Sequence, residues 1–97
     1  MLTNEVKRSK LQLCFEVLEV INQGTMKPTR IMYSANLSWN TLLEVFMVLK
    51  TQGLIREILQ NGYKRYVLTE KGVSALTHYS KALDILDFGG DNTLLDA

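Results

Sequence analysis

Cys14 is the single cysteine of this chain and His78 its single histidine. A zinc site takes three or four ligands from Cys, His and carboxylates at set spacings. These two residues supply no such set, and one thiol cannot close an intramolecular disulfide. No glycine-rich phosphate loop is present, and no Ser/His/Asp or Cys/His arrangement stands at a suggestive spacing. Catalysis is therefore not expected, nor is a bound metal or cofactor, and no small-molecule ligand is evident. The groups left with something to bind are cations. Between Lys27 and Lys71, seven positive side chains (Lys27, Arg30, Lys50, Arg56, Lys64, Arg65, Lys71) face three negative ones, Glu44, Glu57 and Glu70. The formal net charge is only +1, because after Gly72 a single Lys81 stands against Asp84, Asp87, Asp91 and Asp96. A basic middle and an acidic end direct one region toward polyanions. The plainer reading is the charge fluctuation of any small domain.

The elements that must position these cations can be read in order. At 97 residues, with 46% hydrophobic and 22% charged residues, the chain is sized for one globular domain with one modest core. No apolar run reaches the roughly 18 residues that span a bilayer. The start, "MLTNEVKRSK", carries no signal-peptide pattern, which predicts an unprocessed cytoplasmic protein. Leu11, Cys14, Phe15, Leu18 and Ile21 recur at helical spacing and predict a helix from about Asn4 to Asn22, closed by Gln23-Gly24. Cys14 in that stripe reads as a buried structural thiol. A second, short helix begins near Pro28, carries Ile31, Met32 and Ala35, and breaks at Asn36-Leu37. Ser38 reads as the N-cap of a third helix, Trp39 to Gln52, with Leu42, Val45, Phe46 and Leu49 as its buried stripe and Gly53 as its stop. Leu43 and Met47 stand off that stripe and either widen it or meet another surface.

"LIREIL" and "YKRYVL" flank Asn61-Gly62, the strongest short-range hairpin signal, since a type I′ turn takes positive φ at both positions. That turn opposes Gln60 to Tyr63, Ile58 to Arg65 and Ile55 to Leu68. Ile55, Tyr66 and Leu68 then face the core, and Arg56, Tyr63 and Arg65 the outside. Thr69 caps a last helix that runs to about Phe88, with Glu70 in its first turn. Val73, Leu76, Leu83 and Leu86 form a heptad-like seam along it. The domain is expected to span residues 1–88, with 89–97 as an acidic flexible tail.

Three helices, a hairpin and a further helix make a mostly α, α+β chain, in the element order of a winged helix-turn-helix. The residues "KPTRIMYSANLSW", "LSWNTLLEVFMVLKTQGLI" and "YVLTEKG" closely resemble the small winged-helix proteins found widely in archaea. In that family Gly53-Leu54-Ile55 corresponds to the end of the recognition helix. Tyr66-Val67-Leu68-Thr69-Glu70-Lys71-Gly72 corresponds to the end of the wing and the start of the last helix. The resemblance covers roughly residues 5 to 80. It implies a winged-helix fold and double-stranded DNA as partner, as a transcription regulator or a non-specific chromatin protein of the cytoplasm and its nucleoid. It also implies a homodimer through the helix from about 69 to 88, along Val73, Leu76, Leu83 and Leu86.

The roles follow from that geometry. The third helix would enter the major groove, with Trp39, Asn40 and Thr41 in the turn that meets base edges. Asn can pair bidentately with adenine, and Thr can bond either partner or touch a thymine methyl. Ser38 and the open N–H groups behind it suit a phosphate. Lys27, Arg30, Lys64 and Arg65 would reach the backbone. Each has a plainer reading: Trp39 as a lid on the corner between helices, Asn40 and Thr41 as solvated first-turn residues, Lys64 and Arg65 as charges that blunt an edge hairpin, His78 as a surface residue. The rival function is a winged helix for protein–protein contact without DNA, favoured by the near-zero net charge and by Ile58, Leu59 and Val67.

Overall fold

The computed structural model describes residues 8–86. The elements are α1 (Lys10–Asn22), α2 (Pro28–Ala35), α3 (Trp39–Thr51), β1 (Ile55–Gln60), β2 (Tyr63–Leu68) and α4 (Glu70–Ile85). The proposed tail at 89–97 and the end of the last helix at Phe88 lie outside the described residues.

α1 starts later than its apolar spacing predicts. Arg8 and Ser9 are not helical, and Ser9 is the N-cap. Its hydroxyl accepts from the Gln12 N–H at 3.1 Å, while the Gln12 amide oxygen accepts from the Ser9 N–H at 3.0 Å. This reciprocal capping box satisfies two open donors and fixes the start. The stripe is also rotated: Val17 is fully buried with Leu18, whereas Leu11 is 62% exposed. Cys14 is buried, and that burial pushes its thiol above the ordinary range, which disfavours the reactive thiolate.

Pro28 opens α2, and Asn36 ends it in the left-handed conformation at φ 58°. The chain then turns through Leu37 into Ser38, whose hydroxyl accepts from the Thr41 N–H at 3.2 Å and caps α3. Leu42, Val45, Phe46 and Leu49 are buried as their spacing predicts. Leu43 and Met47 do not widen this stripe: they are 44% and 68% exposed. The side chains of Leu18, Ile31, Leu42 and Leu49 are fully buried, each contributing about 1.5–3 kcal/mol of hydrophobic burial. They lock α1, α2 and α3 around one core.

The hairpin has the expected register, Ile55 opposite Leu68, Ile58 opposite Arg65 and Gln60 opposite Tyr63. Asn61 and Gly62 take φ of 54° and 82°, as the two-residue turn demands. The Tyr66 N–H donates to the Met26 carbonyl at 3.0 Å, so the loop after α1 covers the inner edge of β2. Thr69 caps α4, accepting from the Gly72 N–H at 3.0 Å. Phe15 of α1 and Tyr79 of α4 stack with ring centroids 4.0 Å apart. Leu76 is 7% exposed and belongs to the chain's own core, so only Val73, Leu83 and Leu86 of the expected seam remain on the surface.

Candidate nucleic-acid interface

The cations sort by the two faces of the hairpin. Successive strand residues point to opposite sides, so Lys64 and Arg65 meet different neighbours although both edge one groove. Arg65 turns toward the loop before α2. There it shares one groove with Lys27, Pro28, Thr29, Tyr63 and Lys64, and an adjoining one with Gly24 to Lys27, Arg30 and Gln60. Its guanidinium carbon lies 5.7 Å from the Tyr63 ring centre, a cation–π distance. Arg65, far in sequence from Lys27 and Arg30, is thus brought beside them. Though Lys64 edges the first groove, its ammonium lies 3.8 Å from Glu57 Oε2.

The first turn of α3 forms the second part. Asn40 and Trp39 are exposed, Trp39 by 43%, which does not suit a closed lid on the corner between helices. Thr41 is half-buried, and its hydroxyl accepts from Ser38 Oγ at 2.9 Å, which uses part of its bonding capacity. Trp39, Asn40, Leu43, Glu44, Met47 and Val48 are the exposed residues of the first three turns beyond the cap. His78 is exposed on α4, its Nδ1 2.7 Å from the Ser74 carbonyl oxygen one turn back. Among the described residues no group of three or more His, Cys, Asp or Glu could hold a metal ion, and no helix is long and apolar enough to cross a membrane.

A family model described as winged helix-turn-helix matches residues 7–87. The chain belongs to this family. A relative from Methanocaldococcus jannaschii, described as an uncharacterized protein, is 31% identical over 81 residues, covering 84% of this chain and 79% of its own. Among solved structures, Sso10a-2, a DNA-binding protein from Sulfolobus solfataricus, superposes with a TM-score of 0.73 at 21% identity, over 92% of this chain and 95% of that one. The transcriptional regulator BldR from Sulfolobus solfataricus gives 0.68 at 18% identity, over 88% of this chain and 61% of BldR.

Within this winged helix, α2 and α3 are the helix-turn-helix pair and the hairpin is the wing. Two residues that sequence reasoning passed over hold these parts. Arg8 reaches back to the helix-turn-helix corner: it donates to the Ala35 and Asn36 carbonyls, both at 2.9 Å, and pairs with Glu16. Its fork satisfies carbonyls that the end of α2 leaves open. Glu57, on the wing, receives Lys50 of α3 and the Tyr66 hydroxyl at 3.2 and 3.0 Å. These donors hold its carboxyl below the ordinary range, the Tyr66 bond foremost. The hairpin register places Glu57 opposite Tyr66. The approach of Lys50 is tertiary and has no local signal.

Proposed function

We propose that this chain binds duplex DNA as a homodimer and regulates transcription, with the start of α3 at base edges in the major groove and the wing on the flanking backbone. The observation that carries the reading is the convergence of Lys27, Arg30 and Arg65 on the adjoining grooves between the start of α2 and the wing. Among the described residues no carboxylate lines either groove, which suits a phosphate backbone. The DNA-binding and transcriptional-regulator descriptions of Sso10a-2 and BldR support the same direction. Asn40 reads adenine, Thr41 with its remaining hydroxyl proton assists, and Ser38 and Trp39 frame the turn. Val73 and Leu83 on α4 and Leu86 at its C-cap meet their counterparts in the second subunit, with Leu76 supporting them from beneath. Such a protein resides on the nucleoid.

The deciding experiment is fluorescence anisotropy with a random duplex of about 30 base pairs across a salt series. The expected result is binding whose log K falls with log salt by about 0.9 per phosphate contacted. Replacing Arg65 and Lys27 by Ala should weaken all sequences alike and flatten that slope. Equal affinity for every duplex would make it a non-specific chromatin protein. A second reading, a winged helix that binds a protein, is favoured by the exposure of Leu43, Met47 and Leu59, at 44%, 68% and 72%. It expects no DNA binding even at low salt.

A further inference from the structure

Glu57 sits on the wing with its carboxylate turned toward α3. Tyr66, its cross-strand partner, donates its hydroxyl to Oε1 at 3.0 Å. That tyrosine is buried, and its ring stacks on Phe46 with centroids 4.1 Å apart. The carboxylate is therefore held by a fixed donor rather than by a mobile surface group. Lys50, in the last turn of α3, donates to the same oxygen at 3.2 Å, and the Lys64 ammonium stands 3.8 Å from the other. One anchored anion thus faces two cations in the groove between α3 and the wing, where Leu43 and Met47 also lie.

A duplex engaged by α3 and the wing together brings phosphates to this groove. A carboxylate there repels them, and it occupies ammonium groups that would otherwise displace counterions. We propose that Glu57 is a brake on DNA binding that withholds Lys50 and Lys64 from the backbone. The inference rests on the DNA-binding reading above. Partly exposed ion pairs are weak, so the brake is graded. A well-seated duplex can draw the lysines away, whereas a loosely held one meets a groove already partly neutralised. Glu57 in this way lowers sequence-independent attraction and leaves base reading a larger share of the total.

The test compares the wild-type chain with Glu57→Gln on a random duplex of about 30 base pairs across salt. Gln keeps the shape and an oxygen for the Tyr66 hydroxyl. The expected result is about tenfold tighter binding at low salt, with a log–log slope steeper by about 0.9 to 1.8, one to two further phosphates. Lys50→Gln added to the Glu57→Gln chain should take back about half of the steepening. Tyr66→Phe keeps the ring stack and removes only the anchoring hydroxyl. It should give a smaller gain of the same sign, and it carries the test if Glu57→Gln fails to fold. If wild type binds and both variants match it in affinity and slope, the brake is refuted and the DNA-binding reading stands. Tighter binding with an unchanged slope refutes the withholding of the lysines. Absence of binding by wild type and variants at low salt overturns the DNA-binding reading, and the brake with it.

Discussion

Asn40 is exposed in the first turn of α3, next to a Thr41 whose hydroxyl is tied to Ser38. Its amide offers the donor–acceptor pair that matches adenine. Asn40→Ala should therefore cost about 1–3 kcal/mol on a preferred site and little on random DNA. Competition binding reads the difference, and equal losses would make Asn40 a backbone contact or a structural residue. Tyr66 carries a prediction of another kind. Burial first, and then its bond to Glu57, push its hydroxyl up to about 12. In the unfolded chain a tyrosine ionises near pH 10. Between about pH 10 and 12 the unfolded state therefore releases a proton that the folded state keeps. The contribution is fully present below about pH 10 and is lost as pH rises toward 12. Urea midpoints should fall over that window, and Tyr66→Phe should lack this part of the fall. Identical profiles would remove Tyr66 as the cause.

The joint between the wing and α4 explains why the segment Tyr66 to Gly72 reads so clearly. Thr69 Oγ1 donates to the Gly53 carbonyl at 2.6 Å while accepting from the Gly72 N–H, and its own N–H donates to the Leu54 carbonyl at 3.1 Å. Lys71 donates to the Gln52 carbonyl at 2.7 Å, at the end of α3. Gly72 lies so close to Leu54 that an added Cβ would stand 2.1 Å from its carbonyl oxygen. Backbone cannot yield as a side-chain tip can, so Gly72→Ala should destabilise the fold by about 2 kcal/mol or more in chemical denaturation. A change of only a few tenths would mean the joint can open. Such local rules made much of the fold legible. Asn61-Gly62 fixed the hairpin register, Ser38 and Thr69 announced their caps, and the spacing of Leu42 to Leu49 gave the buried face of α3. The expected start of α1 near Asn4 runs past the first apolar residue of its stripe, Leu11, although the Ser9/Gln12 box in "SKLQ" is itself a start signal. The site was less legible. Lys27 and Arg30 meet Arg65 only because the loop after α1 lies along β2, and Lys64 is held by Glu57, contacts that no local spacing encodes.

For the molecule as a whole, α4 is where a second copy would attach. Val73, Leu83 and Leu86 are 47%, 51% and 57% exposed, apolar side chains open to a second copy. If the proposed dimer forms there, Leu83→Asp should yield monomers in light scattering, while circular dichroism stays that of the folded chain. A dimer that survives puts the interface elsewhere. Half-sites on a two-fold operator should then lie about 34 Å apart, or a multiple of it. The approach of Gly72 to Leu54 bears on this spacing. It brings the helix that would pair the subunits against the corner that ends α3, so each subunit of the proposed dimer would act as a stiff arm on a common axle. Such a pair would work as a gauge. Adding one base pair between half-sites swings the second about a tenth of a turn around the duplex. Affinity measured on spacers lengthened one base pair at a time should rise and fall with the pitch of the double helix, and a flat profile would mean that the arms bend.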